Sequence, residues 1–303
     1  MTVSVIAYAL IHAHVGHPIG RQVAITIDDL PFVGAKRDYA TVYQNTQRLL
    51  GPIRAAHVPV VGFVIGGGAL NLTREQQARV YKCWLDSGCE LGNHTWTHAD
   101  LDKTPITQYE GEIMQTDAYL RELLGGISLR YFRSPYLNDG KDLNTKTELR
   151  RFMKEQGYVE APVTFDSDEY FFATVYDRAV DSRDAATERK IEKQYIAYWL
   201  ARVEFFEQLS NQVFGRECAQ VLLIHSNRLN AKLMPEILQL FKKRSYSFVS
   251  LNQALRDPAY RRADNYYGSG GISWLYRWAL GTGIPLHYGP TVPDWVKKQF
   301  VPK

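Results

Sequence analysis

At 303 residues with 45% hydrophobic side chains, the chain is long enough to bury a large core, and its length suits one main domain with additions. The net charge of +4 is spread along the sequence without a long lysine or arginine run, which argues against a surface for nucleic acid or anionic membranes. No stretch approaches the ~20 consecutive apolar residues of a transmembrane helix, so no integral membrane segment is expected.

Residues 1–20 form an N-terminal segment that differs from the rest. Residues 3–11 resemble the apolar part of a secretory signal, but they lack a basic start and a clean small-x-small cleavage site. A flexible terminus explains the nearby His12, His14 and His17 better than a metal site does. Further along, Cys83 and Cys89 are expected to be buried thiols rather than a short-loop disulfide.

From residue 21 to residue 257, short apolar runs alternate with helical patterns. The apolar runs predict strands at residues 23–27, 58–65, 90–91, 130–133, 158–159, 163–165, 220–224 and 248–251. Helical periodicity, glycine stops and capping-box signatures at Thr73 and Thr107 predict helices at residues 39–56, 73–85, 107–124, 146–156, 181–213 and 233–243. Seven or eight strand–helix alternations favour a parallel α/β barrel over an open sheet.

Two segments are additions to this pattern. The helical stretch 181–213 is longer than a simple crossover requires, so it is interpreted as an insertion in the barrel. Residues 258–303 are rich in tyrosine, glycine and tryptophan, and they are expected to form a C-terminal arm packed across the barrel. Within this arm, Trp274 and Trp278 are interpreted as core residues rather than as a platform for sugar.

Polar side chains follow the predicted strands at the same end of each strand. In a barrel, catalytic residues lie where strands end and the following loops begin. The residues at these junctions are Asp28, Asp29, His94, His98, Arg133, Tyr136, Asp166, Asp168 and His225. Their shared position carries more weight than any single motif.

His94 and His98 are candidate metal ligands. Four residues apart, they would lie on the same side of one helical turn if the backbone there were helical. Two neutral histidines and one carboxylate leave a divalent ion an open position, as in catalytic zinc sites. Asp28 or Asp29 supplies the carboxylate, because adjacent side chains of an extended backbone point to opposite sides and the other aspartate is then free to act as general base. We expect zinc first, with cobalt, nickel or manganese as alternatives.

The remaining candidates complete an acid–base site. Arg133 is expected to hold the general base in place and keep it ionised. His225 would protonate the leaving group, provided that Asp166 holds it as imidazolium. The backbone N–H of Tyr136 is the candidate donor to a tetrahedral oxyanion. Together these roles describe the hydrolysis of an acyl group.

Five ordered motifs within residues 22–251 resemble those of the polysaccharide deacetylases, also called NodB-homology or carbohydrate esterase family 4 proteins. The motifs are Thr26-Ile27-Asp28-Asp29, His94-Thr95-Trp96-Thr97-His98, Arg133-Ser134-Pro135-Tyr136, Asp166 with Tyr170, and Leu223-Ile224-His225. The resemblance implies a distorted (β/α) barrel of seven or eight strands and metal-dependent removal of N- or O-acetyl groups from sugars. It also implies that Asp28 is the base, that Arg133 tethers it, that His225 is the acid, and that the metal ligands are Asp29, His94 and His98.

Three positions depart from the usual motifs. Ile27 stands where the family usually has phenylalanine, Tyr170 where it has tryptophan, and Ser226 where it has aspartate after the last histidine. These differences concern the groove, and hence the substrate, rather than the metal site.

The resemblance implies a carbohydrate substrate, which the six tryptophans and nineteen tyrosines suit because aromatic rings pack against sugar rings. The main hypothesis is deacetylation of an N-acetylated amino sugar or polysaccharide of the chitin-oligomer or peptidoglycan type. The alternatives are an esterase that removes O-acetyl groups from xylan and a non-catalytic carbohydrate-binding relative. The family often acts outside the cytoplasm, so a secreted or periplasmic protein is expected, with the cytoplasm and the oligomeric state left open.

Overall fold

The computed structural model describes residues 20–69, 71–285 and 287–300. The signal-like run at 3–11 and the three histidines at positions 12, 14 and 17 lie outside the described residues. Among the helices that are described, none combines the length and the apolar character needed to cross a membrane.

Parallel strands form the centre of the molecule. The strands are β1 (Gln22–Val33), β2 (Val60–Val64), β3 (Glu90–Asn93), β4 (Tyr131–Phe132), β5 (Val159–Glu160), β6 (Gln220–Asn227) and β7 (Ser247–Phe248). They form one sheet in the order β5-β4-β3-β2-β1-β6, and β7 pairs with the start of β1. A parallel bridge between Phe165 and Leu222 carries the chain that follows β5 to the opposite edge of the sheet. The predicted distorted α/β barrel is therefore confirmed.

The centre of the sheet is buried on both faces, as the unbroken apolar runs predict. Residues 23–27 of β1 are each at most 1% exposed, and Val221, Leu222 and Ile224 of β6 are fully buried. In β1 the ladder to both neighbouring strands shifts register after Ile27 and Asp28. The carboxyl end of β1 is therefore irregular, and this is where the motif aspartates lie.

Helices surround the sheet. They are α1 (Tyr39–Ala55), α2 (Arg74–Asp86), α3 (Ile106–Leu123), α4 (Leu143–Glu155), α5 (Glu169–Ser182), α6 (Ala185–Phe214), α7 (Arg228–Lys243), α8 (Leu251–Ala254), α9 (Trp274–Leu280) and α10 (Asp294–Gln299). The capping box predicted at Thr73 is present. The one predicted at Thr107 is wrong, because the helix begins at Ile106 behind Pro105 and places Thr107 inside the first turn, without a side-chain cap.

The stretch 181–213, predicted as one helix, is divided between the end of α5 and α6. α5 begins at Glu169 and ends at Ser182, and the next residue, Arg183, takes a left-handed conformation with φ of 61°. α6 then starts behind Asp184, whose side chain accepts hydrogen bonds from the N–H groups of Ala186 and Thr187. The left-handed residue and the new cap break a pattern that reads as continuous in the sequence, and they place α5 beside the strand ends.

The C-terminal segment packs against the barrel through aromatic side chains. Trp274 and Trp278 are 6% and 2% exposed, so their interpretation as core residues is confirmed. The Trp278 ring lies 5.4 Å from the Phe214 ring at the end of α6, between ring centroids. Tyr276 similarly lies 5.4 Å from Phe206. The boundaries of this arm stay a prediction.

Candidate active site

The carboxyl ends of the strands meet around a cavity of about 540 Å³. Asp28 on β1 pairs in register with His225 on β6, so these two residues lie side by side at the end of the sheet. Asp29, His94 and His98 line the same cavity. The strand-end side chains that the sequence pointed to are therefore brought together.

Asp28 is held by Arg133, the first residue after β4. Arg133 Nη1 donates hydrogen bonds to Asp28 Oδ1 and to Thr26 Oγ1, both at 2.7 Å. Arg133 Nε donates to the Ala161 carbonyl at 3.1 Å, and the residue is only 1% exposed. Burial lowers the pKa of Arg133, while the Asp28 carboxylate opposes this effect. The pair fixes the position of one aspartate oxygen and leaves the other directed towards the histidines.

Asp29, His94 and His98 form a compact set of ligand atoms. One atom from each residue lies within 4.8 Å of the others. Asp29 Oδ1 lies 3.4 Å from His94 Nε2 and 3.3 Å from His98 Nε2. Among the described residues, this buried Asp29 oxygen has no hydrogen-bond partner. An unsatisfied carboxylate oxygen between two imidazoles fits a divalent cation, because buried polar atoms otherwise find partners.

The ionisation states of these groups also fit. His94 Nδ1 lies 2.7 Å from the Arg133 carbonyl oxygen, which holds the proton on Nδ1 and leaves the Nε2 lone pair facing the cluster. Burial lowers the pKa of His98 to about 4, although Asp29 opposes this. Burial disfavours the ionised form of Asp29, but the neighbouring His94 imidazole and the positive charge of His225 outweigh it and hold the pKa of Asp29 well below its usual range. Neutral histidines and an ionised carboxylate are the forms that bind metal.

The backbone that presents these ligands differs from the expected one. The stretch from His94 to His98 is not helical, because Thr95 and His98 take φ values of 62° and 61°. Asn93 Oδ1 accepts a hydrogen bond from the Thr95 N–H at 3.0 Å and stabilises this loop. Asp29 also has a φ of 60°, so β1 is not extended there. This left-handed residue allows both aspartates to face the cavity instead of opposite sides.

His225 lies beside Asp28 at the end of the sheet, and its hydrogen-bond partner is not the residue predicted. His225 Nδ1 donates to Glu169 Oε1 at 3.0 Å, and no described contact joins His225 to the Asp166 carboxylate. The prediction that Asp166 holds His225 is therefore wrong. Glu169 is the first residue of α5. The sequence pattern predicts that this helix begins at residue 181, so it does not identify Glu169 as a site residue. The acidic pair Asp168-Glu169 just before Tyr170 was the available sequence signal.

Glu169 is fully buried, and several hydrogen-bond donors surround its side chain. It accepts hydrogen bonds from the His225 N–H at 3.0 Å, from Asn227 Nδ2 at 3.0 Å, from Asn230 Nδ2 at 2.8 Å and from Tyr195 Oη at 2.8 Å. Burial tends to lower the pKa of His225, but the hydrogen bond to Glu169 and the nearby aspartates raise it to about 10. His225 therefore carries a proton at neutral pH.

Asp166 lines the same cavity, where its hydrogen-bond partners are Ser167 and Arg202. Its Oδ1 accepts a hydrogen bond from the Ser167 N–H at 2.8 Å, and its carbonyl accepts two from Arg202. Burial raises the pKa of Asp166 to about 6. Its carboxyl group is thus available to the cavity.

Two tyrosines with exposed rings line the cavity. Tyr136 is 58% exposed, and its ring centroid lies 4.6 Å from that of His98. Tyr170 is 47% exposed and packs on Phe171 at 4.4 Å between ring centroids. Both rings present an apolar face and a hydroxyl group to whatever enters, as carbohydrate sites often do.

Two of the three glycines after β2, Gly66 and Gly67, make room for Trp96. A Cβ on Gly66 would lie 2.5 Å from the Trp96 ring, and one on Gly67 would lie 2.9 Å from the Trp96 carbonyl oxygen. The N–H groups of Gly66 and Gly67 donate to the carbonyls of Thr95 and Trp96. The glycine turn therefore supports the loop that carries the two histidines.

The molecule is a parallel β/α barrel of a hydrolase-like class. Two histidines and a carboxylate lie at its strand ends, beside a buried Asp–Arg pair and a Glu–His pair. Comparison with known proteins agrees with the motifs. Residues 16–160 match the sequence model of the family described as polysaccharide deacetylase. This match assigns residues 16–160, rather than the whole chain, to the polysaccharide deacetylase family.

Known relatives are distant. The chain is 18% identical over 236 residues to a bifunctional xylanase/deacetylase from Pseudobutyrivibrio xylanivorans, covering 77% of this chain and 30% of that protein. It is 27% identical over 115 residues to a peptidoglycan-N-acetylglucosamine deacetylase from Bacillus cereus, covering 38% of this chain and 36% of that protein. The match thus spans about a third of the length of these relatives.

Solved structures share the fold. A carbohydrate esterase family 4 pseudoenzyme from Bacillus anthracis aligns with a TM-score of 0.53 at 15% identity, covering 79% of this chain and 66% of that chain. A peptidoglycan N-acetylglucosamine deacetylase aligns with a TM-score of 0.50 at 20% identity, covering 77% and 87% respectively. At these identities the similarity establishes the architecture alone.

Proposed function

We propose that this protein is a divalent-metal-dependent hydrolase that removes acetyl groups from N-acetylated amino sugars in a chitin oligomer or in peptidoglycan. The observation that carries the proposal is a pair of buried ion pairs beside the proposed metal ligands. Asp28 is held by a buried arginine, and His225 is held protonated by a buried glutamate. A base and an acid in two separate pairs are what hydrolysis of an amide or ester requires.

Asp29, His94 and His98 are the residues that would hold the metal. The Asp29 oxygen has no hydrogen-bond partner among the described residues, and together with the two imidazoles it fits zinc; cobalt, nickel or manganese accept the same donors. When bound, a divalent cation polarises a carbonyl group and lowers the pKa of water. The residues around it then carry the proton transfers.

Asp28 is the proposed general base. Its Oδ1 is occupied by Arg133, while Oδ2 lies 3.8 Å from His94 Nε2 on the cavity side. The free oxygen can therefore accept a proton from a water molecule that attacks the acyl carbon. Arg133 keeps the carboxylate in one orientation, so the proton acceptor does not have to reorganise during the reaction.

His225 is the proposed general acid. It is protonated at neutral pH because Glu169 stabilises the imidazolium, and its Nε2 is free to give a proton to the departing nitrogen of the amino sugar. The backbone N–H of Tyr136 is the proposed hydrogen-bond donor to the oxyanion. Tyr136 and Tyr170 are the proposed contacts for the sugar ring. A cell-wall substrate would place the protein outside the cytoplasm, in a secreted or periplasmic location.

Two alternative functions can be tested in the same experiment. The fold is shared with a pseudoenzyme, so a carbohydrate-binding protein without turnover is the second candidate. One relative is named as a xylanase/deacetylase, so removal of O-acetyl groups is the third. The described residues contain the proposed ligands together with the proposed acid and base, which favours turnover over binding alone.

The test is release of acetate by the purified chain from N-acetylglucosamine oligomers, peptidoglycan and acetylxylan, before and after chelation. We expect release from an N-acetylated substrate, loss of release with a chelator, and recovery with added zinc. Release from acetylxylan alone would favour the esterase. Tight binding of sugar without acetate release from any substrate, or activity that resists chelation, would contradict the proposal.

A further inference from the structure

The loop that follows β4 contains an unfavourable backbone conformation at the cavity wall. Tyr136 and Leu137 are consecutive non-glycine residues with φ values of 58° and 53°. Left-handed conformations cost free energy for residues with a Cβ, and two in succession persist only where surrounding contacts hold them. The direction of the Tyr136 N–H therefore depends on whatever fixes this loop.

An arginine of the C-terminal arm holds the loop. Arg277 Nη2 donates to the Leu137 carbonyl oxygen at 2.5 Å, and Arg277 Nη1 donates to Asp139 Oδ2 at 2.9 Å. The Arg277 side chain is fully buried, and its guanidinium carbon lies 3.7 Å from the centroid of the Trp274 ring. One planar group thus binds the backbone of the loop and the acidic side chain that follows it.

Two further charges keep Arg277 in place. Asp264 Oδ2 accepts from Arg277 Nη1 at 2.8 Å and from Lys146 Nζ at 2.7 Å, and Lys146 also lies 2.9 Å from Asp139. Two cations and two carboxylates are therefore buried together. Since an unpaired buried charge is strongly unfavourable, this cluster allows Arg277 only one arrangement.

Gly271 brings the arm into contact with the same loop. A Cβ at this position would lie 2.1 Å from the Leu137 carbonyl group and 2.3 Å from the Tyr136 carbonyl oxygen. Those neighbours are backbone atoms, so a larger residue could be accommodated only if the loop itself moved. Gly271 also lines the cavity together with Tyr136 and Leu137.

We propose that Gly271 and Arg277 are positioning residues that set the Tyr136–Leu137 backbone for oxyanion stabilisation, so that the C-terminal arm is part of the catalytic apparatus. The inference rests on the proposed deacetylase function. Neither residue touches the proposed metal ligands, so a change at either should alter the rate of the chemical step without altering metal binding. A displacement of about 1 Å or loss of one oxyanion donor lowers kcat by about 10²-fold.

The experiment compares Gly271→Ala and Arg277→Lys with two matched controls. Gly268→Ala adds the same methyl group three residues away, where the nearest atom is 3.5 Å from the new Cβ. Arg150→Met removes a partly exposed cation that pairs with Asp264 at 3.2 Å but does not contact the loop. For each protein, kcat, KM, zinc affinity and Tm are measured with N-acetylglucosamine oligomers.

We expect about a 10²-fold lower kcat for both test variants, with KM and zinc affinity within threefold of the wild type, and kcat within threefold of the wild type for both controls. Arg277→Lys keeps the charge, so it remains informative if Gly271→Ala does not fold. Test variants that match their controls in kcat would overturn the inference, as would a loss of activity that follows a loss of zinc affinity. No acetate release by the wild type would overturn the proposed function as well.

Discussion

Replacing Glu169 with glutamine tests the acid side of the site, because it removes one charge while preserving the shape of the side chain. Glu169 is completely buried, and its Oε1 lies 3.0 Å from His225 Nδ1. An opposite charge at this distance raises the pKa of a histidine by about 1–3 pH units. At ~1.36 kcal/mol per unit, the variant loses about 1.4–4 kcal/mol of stabilisation of the imidazolium.

The expected consequence is a shift of the pH–rate profile. The acid form of His225 is the active one, so activity is lost as pH rises through its pKa, which Glu169 raises. In Glu169→Gln this falling limb should move to lower pH by about 1–3 units, and kcat on the alkaline side should fall by about 10- to 10³-fold. The assay is kcat/KM for acetate release across the pH range, with zinc held saturating because a nearby cation also lowers the pKa of His225.

Stability gives an independent reading of the same interaction. A raised histidine pKa contributes stability that is complete below the unfolded value of 6.5 and is lost as pH rises through about 10. The difference in unfolding free energy between the wild type and Glu169→Gln should therefore shrink between these two pH values. Asp166→Asn is the control, since Asp166 does not contact His225. An unmoved falling limb in Glu169→Gln, or an equal shift in Asp166→Asn, would refute the reasoning.

Other substitutions probe the remaining parts of the site. Arg133→Met should leave a buried carboxylate without its partner, lowering the unfolding free energy by about 3–5 kcal/mol in urea titrations and abolishing acetate release. Asp28→Asn should keep zinc, measured by metal analysis, and lose turnover, whereas His94→Ala should lose both; normal turnover by Asp28→Asn would rule out this base. Gly66→Ala should be destabilised by about 1–3 kcal/mol because a Cβ would meet an indole ring at 2.5 Å. Gly51→Ala, inside a helix with no atom within 4 Å, should instead gain about 0.5–1 kcal/mol.

The sequence predicted the barrel and the polar residues of its site because both depend on local pattern. Strands buried on two faces appear as unbroken apolar runs, as at residues 23–27 and 220–224. In a parallel sheet their carboxyl ends lie at one edge, so side chains directly after them meet in space. Asp28, His94 and His225 were found in this way, and five ordered motifs related them to a known family.

What the sequence did not predict depends on backbone conformation and on distant contacts. The left-handed conformations of Asp29 and His98 redirect side chains that an extended strand or a helical turn would have placed differently. Glu169 becomes the partner of His225 only because α5 begins there, beside β6, rather than at residue 181. The tertiary structure decided these features because a left-handed φ in a residue with a Cβ has no strong sequence signature.

The longest-range example is the contact between Arg277 and the Leu137 carbonyl, which joins residues 140 positions apart in the chain. The sequence determined by itself that residues 258–303 differ from the barrel and are rich in aromatic residues. The sequence did not determine where these residues pack. The position of Arg277 depends on a buried cluster of charges that the fold assembles from separate segments. The sequence therefore specifies the chemical groups of the site, and the packing of the arm and of α5 decides how those groups are held.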